Sequence, residues 1–137
     1  MAFSYVNNRF SIVQNGVEVD LQGVATKINK PTYVYDLDEI ERRLEHISKC
    51  FTQNTSVHYA MKANPHPEIL KKVAALGFGV DVVSAGEIKL AFENGIPAKN
   101  IVFSGVGKSK SELKYALEHE IAQINVESPL SCVELDK

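Results

Sequence analysis

Clustered cysteine, an excess of basic charge and long apolar runs are all missing from this sequence, and each absence excludes a class of protein. The 137 residues include two cysteines, Cys50 and Cys132, which form neither a C-x-x-C pair nor a Cys/His cluster at metal-ligand spacing. A disulfide scaffold and a zinc site are therefore not indicated. Two reduced thiols are typical of a cytoplasmic protein.

The charge balance argues against a nucleic-acid partner. Fifteen Lys and Arg residues stand against 17 Asp and Glu, and the lysines are scattered rather than clustered. No apolar run reaches the length of a membrane span, and the first residues lack the pattern of a signal peptide. With 45% hydrophobic residues, the chain is predicted to be a globular, cytoplasmic protein that acts on small molecules.

The order of predicted elements is a β segment followed by repeated strand and helix units. Residues 3–28 alternate loosely around the turn signal Asn15-Gly16 and predict a β-hairpin. After residue 31, five strand-sized runs are each followed by a helical pattern, which is typical of a parallel α/β fold. The predicted strands cover residues 33–36, 57–61, 79–83, 101–103 and 122–126, and the predicted helices cover residues 37–51, 67–76, 85–93, 112–119 and a last stretch running to residue 137.

Two architectures fit these units, a doubly wound sheet and a (β/α)8 barrel. Polar residues follow every predicted strand, which favours the barrel because barrel active sites gather at the carboxyl ends of the strands. A doubly wound sheet often carries a G-x-G-x-x-G fingerprint, and this sequence has none. Since a complete barrel needs eight units, five units predict a partial one. The polar or loop-forming residues are Asp36, Lys62, Asn64, Ser84, Glu87, Ser104, Gly105, Lys108, Asn125, Glu127 and Ser128.

Lys62 is the first candidate for chemistry. Asn64 and Pro65 end the preceding strand-like run at once, so Lys62 is predicted at the carboxyl end of a strand. Period-2 alternation then places it on the same face as His58 and Ala60. An inward-facing lysine is unusual, and desolvation favours the neutral amine that forms a Schiff base with an aldehyde. The alternative interpretation is a solvated lysine on a loop.

Asp81 is the second candidate, because it interrupts the apolar run of residues 79–83. If its strand neighbours the strand before Lys62, both side chains face one interior and are predicted to form an ion pair, either structural or catalytic. His58, on the same face as Lys62, is interpreted as a core histidine.

The serine motifs are interpreted as helix caps. Ser84 with Glu87, and Ser109 with Glu112, fit the S-x-x-E capping box. Residues 104–109 superficially resemble a phosphate-binding loop, but the G-x-x-x-x-G-K-[ST] spacing is absent, which argues against nucleotide binding.

Five runs, taken in order, carry a resemblance to a known family. They are Tyr33-Val34-Tyr35-Asp36, Tyr59-Ala60-Met61-Lys62-Ala63-Asn64, Gly79-Val80-Asp81-Val82-Val83-Ser84-Ala85-Gly86-Glu87-Ile88, Ile101-Val102-Phe103-Ser104-Gly105-Val106-Gly107-Lys108-Ser109 and Asn125-Val126-Glu127-Ser128. Over nearly the whole chain these runs resemble the amino-terminal part of the diaminopimelate decarboxylases, which are barrel-type, pyridoxal-phosphate-dependent amino acid decarboxylases with an alanine-racemase-like barrel.

The resemblance implies a fold and an activity. Residues 31–137 would form a partial (β/α)8 barrel of about five units, and residues 1–30 a segment of a second, β domain. Lys62 would hold pyridoxal 5'-phosphate as a Schiff base, with Asp81 near the lysine and the cofactor. The reaction would be decarboxylation of meso-2,6-diaminopimelate to L-lysine in lysine biosynthesis, by a cytoplasmic homodimer.

Several of the family's cofactor-binding groups have no counterpart up to residue 137, among them the ring-stacking histidine, the glycine-rich phosphate loop and the glutamate facing the pyridine nitrogen. The chain is therefore interpreted as a fragment that is inactive alone. One alternative is another basic amino acid decarboxylase of this fold, acting on ornithine, arginine or carboxynorspermidine. Another is a non-catalytic half-barrel that serves binding or interaction. An alanine racemase is disfavoured, because Pro65-His66-Pro67 follows the Lys-Ala-Asn run.

Overall fold

The computed structural model describes residues 3–14, 16–52, 54–129 and 132. The chain divides into two compact units, Met1–Arg43 and Leu44–Lys137. Within the described ranges no helix has both the length and the apolar character needed to cross a membrane.

The first unit begins with a three-stranded antiparallel sheet. Its strands are β1 (Phe3–Val6), β2 (Arg9–Gln14) and β3 (Val17–Asp20), in the spatial order β1-β2-β3. Asn7 and Asn8 connect β1 to β2 with φ of 47° and 65°, which suits the tight turns that join antiparallel strands.

The predicted hairpin is present as β2 and β3, but two parts of that prediction were wrong. A third strand, β1, pairs with β2, and residues after 20 turn into helix α1 (Leu21–Ile28) instead of continuing as a strand. The helix begins there because the Asp20 carboxylate accepts a hydrogen bond from the backbone N–H of Gln22 at 3.0 Å.

Helix α2 (Leu37–Cys50) begins at an aspartate cap. Oδ1 of Asp36 accepts hydrogen bonds from the backbone N–H groups of Asp38 at 3.1 Å and Glu39 at 3.0 Å. The helix was predicted correctly, whereas the strand predicted over residues 33–36 was wrong. A strand needs a backbone neighbour, and among the described residues none pairs with residues 33–36.

The second unit is built on a parallel sheet. Its strands are β4 (His58–Ala60), β5 (Gly79–Val82), β6 (Ile101–Phe103) and β7 (Gln123–Ile124), in the spatial order β4-β5-β6-β7. Helices α3 (Pro67–Ala75), α4 (Ala85–Glu93) and α5 (Lys110–Glu118) connect them. The α/β prediction of a partial barrel is confirmed, with four parallel strands in the described residues instead of about five. Most of the last predicted helix lies outside the described residues.

The two faces of this sheet differ in polarity. Val80 and Val82 of β5 and Ile101 and Phe103 of β6 are fully buried, whereas the intervening Asp81 is only half-buried. Apolar side chains of the connecting helices complete the core, namely Ile69, Leu70, Val73, Ile88, Ala91, Leu113 and Ala116. Because side chains alternate along a strand, Asp81 lies on the face opposite this core.

Candidate functional site at the carboxyl ends of the parallel strands

Lys62 lies just beyond β4, in a one-turn 3-10 helix. The strand ends at Ala60, and Met61–Ala63 form the turn. Met61 is completely buried, whereas Lys62 is exposed. The position after the carboxyl end of a strand is confirmed. The orientation toward the face of His58 and Ala60 stays a prediction, because the chain turns into a 3-10 helix one residue before Lys62.

Hydrogen bonds on the carboxyl-terminal side hold this turn in place. The Tyr59 hydroxyl donates to the carbonyl oxygen of Asn64 at 3.1 Å, and Oδ1 of Asn64 accepts from the backbone N–H of His66 at 3.1 Å. Helix α3 begins directly afterwards with Pro67 in its first turn. Within the described part of the chain, the Lys62 ammonium has no hydrogen bond or ion pair. A fixed backbone therefore carries an accessible amine.

Asp81 lies on the strand next to β4. Its Cα partner across the ladder is Ala60, two residues before Lys62. Its Oδ1 accepts a short hydrogen bond from the hydroxyl of Ser104. The strands are neighbours as predicted, but Asp81 and Lys62 form no ion pair among the described residues.

Ser104 and Asn125 extend the polar contact across two more strands. The Nδ2 of Asn125 donates to Oγ of Ser104 at 2.9 Å. The backbone N–H of Ser104 donates to Val82 at 2.8 Å, and that of Asn125 donates to Phe103 at 2.9 Å. The sequence marked both residues as polar groups after strands, but it did not select them as site residues. Their position after consecutive predicted strands is the sequence signal that could have identified them. The contact between them depends on the order of the strands in the sheet.

Lys108 lies in the loop after β6 and is hydrogen bonded, unlike Lys62 in the described part of the chain. Its Nζ donates to the carbonyl oxygen of Asn125 at 2.7 Å and to that of Gly105, and it lies 5.3 Å from the centre of the Phe103 ring. Gly105 has φ of 97°, a conformation that favours glycine. The ammonium therefore ties the loop after β6 to the end of β7.

The capping interpretation is confirmed fully at one serine and partly at the other. Ser109 and Glu112 form a complete capping box at the start of α5. Ser84 accepts from the backbone N–H of Glu87 at 3.2 Å, but Oε2 of Glu87 accepts from the N–H of Val83, one residue before the cap.

Besides its part in the capping box, Glu112 accepts a hydrogen bond from a second helix. Hydrogen bonds from the backbone N–H and hydroxyl of Ser109 lower the pKa of the Glu112 carboxyl. The backbone N–H of Ala85 also donates to it, at 3.2 Å, and lowers it further. The carboxylate thus joins the first turns of α4 and α5.

His58 lies at the opposite end of the sheet from Lys62. Its ring is only half-buried, with Nδ1 3.5 Å from the carbonyl oxygen of Val80, so the core-histidine interpretation holds only in part. It borders a cavity of about 230 Å³ that Gly79 and Lys99 also line. Among the described residues, no three His, Cys, Asp or Glu side chains form a potential metal site.

The fold and the position of these groups define a class. Parallel strands linked by helices, with polar side chains gathered beyond the carboxyl ends, are the arrangement of a (β/α) barrel and its active face. Residues 37–137 match the sequence model of the family described as pyridoxal-dependent decarboxylase, pyridoxal binding domain. The chain belongs to this family of pyridoxal-dependent decarboxylases.

Two relatives show which decarboxylases of this family the chain is similar to. The chain is 40% identical over 111 residues to a diaminopimelate decarboxylase of Campylobacter jejuni, covering 80% of this chain and 28% of that protein. It is 42% identical over 98 residues to a 2-[(L-alanin-3-ylcarbamoyl)methyl]-2-hydroxybutanedioate decarboxylase of Staphylococcus aureus, covering 70% of this chain and 24% of that protein. The chain therefore spans about a quarter of the length of these relatives.

A solved structure has a similar fold over nearly the whole of this chain. The diaminopimelate decarboxylase of M. jannaschii in co-complex with L-lysine superposes with a TM-score of 0.88 at 32% identity, covering 98% of this chain and 32% of that one. The described fold thus corresponds to the amino-terminal barrel portion of such enzymes.

The described residues provide two of the groups that a bound pyridoxal cofactor would need. An aldehyde cofactor needs a primary amine for attachment, and Lys62 presents one without a competing partner in the described part of the chain. Asp81 supplies a carboxylate on the neighbouring strand.

Proposed function

We propose that this chain is the cofactor-attachment portion of a pyridoxal-phosphate-dependent decarboxylase that converts meso-2,6-diaminopimelate to L-lysine. Lys62 is assigned to covalent attachment of the cofactor, and Asp81 to the neighbouring carboxylate. The supporting observation is the contrast between the two lysines beyond the strands. Lys62 is exposed and, within the described residues, unpaired, whereas Lys108 is hydrogen bonded to two carbonyl oxygens.

Attachment to an aldehyde requires an amine that can reach the carbonyl carbon. The Nζ of Lys62 meets this requirement, because its turn is held by Tyr59 and Asn64 while its own side chain remains accessible. The Nζ of Lys108 would first have to give up its bonds to Gly105 and Asn125.

Asp81 can serve a bound ligand with its second oxygen. Oδ1 is occupied by the Ser104 hydroxyl, and Oδ2 accepts no hydrogen bond from any described residue. A carboxylate accepts hydrogen bonds through both oxygens. Oδ2 is therefore the atom that can accept an N–H or O–H from a ligand beside Lys62.

Pyridoxal phosphate, when bound, supplies a ring that accepts the electron pair released as the bond between the α-carbon and the carboxylate breaks. Lys62 would hold this group through its Nζ. When it is not attached to the cofactor, the same Nζ would be available to carry a proton to the substrate.

The substrate assignment rests on the names of the relatives, of which several are diaminopimelate decarboxylases. The Staphylococcus aureus relative has a different substrate name at a similar identity, so the matched portion alone does not select the substrate. The alternatives are decarboxylation of ornithine, arginine or carboxynorspermidine. The domain boundary at residues 30/31 and assembly as a homodimer remain predictions.

A non-catalytic binding or interaction module is the second candidate. The supporting observation is the exposure of large apolar side chains near the carboxyl ends of the strands, among them Val83, Val106 and Val126, with Val106 84% exposed. Exposed apolar surface is typical of contact with another protein segment.

A labelling experiment tests the proposal. The purified 137-residue chain is mixed with pyridoxal phosphate, its absorbance near the visible edge is recorded, and borohydride reduction followed by peptide mapping locates the attached label. We expect the label on Lys62, its loss in Lys62→Ala, and its retention in Lys99→Ala. Lys99 is the matched control, because it is an exposed lysine at the opposite end of the sheet.

Label spread over surface lysines, or unchanged in Lys62→Ala, would contradict the assignment. Carbon dioxide release is then measured with diaminopimelate, ornithine and arginine in parallel. We expect negligible release from the 137-residue chain, because most of the family's phosphate- and ring-binding groups have no counterpart in it. Release that depends on Lys62 would overturn this expectation and favour whichever substrate supports it.

A further inference from the structure

We propose that Ser104 and Asn125 are positioning residues for Asp81, forming a directed hydrogen-bond relay that fixes the carboxylate beside Lys62. This inference rests on the proposed function, since it assigns the relay to the cofactor site. The three residues lie on or directly after β5, β6 and β7, so the relay runs across three neighbouring strands.

Strand register places the three side chains on one face. Asp81 is opposite Val102 in the ladder, and Val102 is opposite Gln123. Ser104 and Asn125 follow these partners by two residues, so alternation returns both side chains to the face of Asp81. Backbone bonds from the N–H groups of both residues to the preceding strand keep this alternation beyond the ends of β6 and β7.

The direction of the relay follows from donor and acceptor chemistry. An ionised carboxylate only accepts hydrogen bonds, so the single hydroxyl proton of Ser104 points at Oδ1 of Asp81. The Ser104 oxygen must then act as an acceptor toward Asn125, whose Nδ2 donates to it at 2.9 Å. Gln123 fixes the amide in this orientation, because its Nε2 donates to Oδ1 of Asn125.

The relay occupies one oxygen of the aspartate. Since Oδ2 accepts from no described residue, the relay holds Oδ1 and leaves Oδ2 available to accept a hydrogen bond from a ligand.

Lys108 stabilises the backbone at Asn125, the last residue of the relay. Its Nζ donates to the backbone carbonyl oxygen of Asn125 at 2.7 Å, so the backbone that carries the amide is tied to the loop after β6. This contact holds the donor of the relay in place without touching Asp81 itself.

The test compares pyridoxal phosphate affinity, measured by absorbance titration of the 137-residue chain, in Ser104→Ala, Ser104→Thr and Asp81→Asn. We expect Ser104→Ala to weaken affinity about threefold to tenfold, as for loss of one ordinary hydrogen bond. Ser104→Thr keeps the hydroxyl and restores the parental value. In an Asp81→Asn background, Ser104→Ala has no further effect, because the two residues act as a unit.

Ser109→Ala is the matched control, since it removes another serine hydroxyl that contacts a carboxylate, that of Glu112, away from Asp81. Urea unfolding of every variant separates loss of stability from loss of affinity. Equal affinities for the parent, Ser104→Ala and Ser109→Ala, with label still on Lys62, would overturn the relay and leave the proposed function standing. Absence of Lys62 labelling in the parent chain would overturn both.

Discussion

Replacing Gly79 with alanine introduces a methyl group where the structure leaves no space for one. Gly79 is the buried first residue of β5. A Cβ at this position would lie 2.3 Å from the carbonyl oxygen of Asn100 and 2.4 Å from Nδ1 of His58. The His58 ring can turn aside, but the carbonyl oxygen belongs to the backbone that enters β6, where Ile101 pairs with Val80. Relief of the clash therefore requires two strands to separate.

The expected loss of stability follows from this geometry. Adding a methyl group to a well-packed site costs roughly 1–3 kcal/mol, and a clash with fixed backbone places Gly79→Ala at about 3 kcal/mol, the upper end of that range. With a denaturant dependence of about 1–3 kcal/mol per molar urea, the unfolding midpoint is expected to fall by about 1–3 M.

Gly86→Ala provides the matched control. Gly86 lies in α4, where a Cβ would meet only Oγ of Ser84, at 3.7 Å. Alanine in a helix is more stable than glycine by about 0.5–1 kcal/mol, so this variant is expected to unfold at higher urea. The assay is urea unfolding followed by circular dichroism. A midpoint for Gly79→Ala at or above that of the parent would refute the packing argument.

The other predictions concern the helix cap and the lysine turn. Ser109→Ala is expected to lower the free energy of unfolding by about 1 kcal/mol through loss of the α5 cap. The folded state lowers the pKa of Glu112, so its carboxylate stabilises the fold above pH 4.5 and this contribution is lost as the pH falls through the lowered value. The deficit of Ser109→Ala should therefore shrink in acid, and urea midpoints from pH 7 to pH 3 check it; a deficit that grows in acid would contradict the sign. Tyr59→Phe removes the donor to the Asn64 carbonyl and is expected to cost about 1 kcal/mol. Thermal unfolding measures this loss, and an unchanged midpoint would mean that the hydroxyl does not hold the turn.

The helices were predictable because their signals are local. Apolar spacing and capping residues predicted α4 at its observed bounds and α2 to within one residue. Capping contacts join residues within one turn, so the sequence carries both partners side by side. The cap of α1 at Asp20 carried such a signal too, but the alternating residues before it favoured a strand.

Strands were less predictable, since a strand exists only through its neighbour. β6 was predicted at its observed bounds, whereas residues 33–36 have the composition of a strand without a strand partner among the described residues. Strand β1 was missed within the loosely alternating residues 3–28, and its pairing with β2 depends on the turn at Asn7 and Asn8.

The sequence by itself determined that a lysine follows the first strand of a parallel α/β unit, that an aspartate interrupts the next strand, and that the chain resembles a decarboxylase barrel. Only the tertiary structure decided how these groups are used. Lys62 lies in a 3-10 turn beyond β4, and the first residue of that turn, Met61, is completely buried. Asp81 contacts Ser104, and Ser104 contacts Asn125, because strand order and register bring together residues that are 23 and 21 positions apart. Contacts at that separation are set by the packing of whole strands, which no local pattern of residues contains.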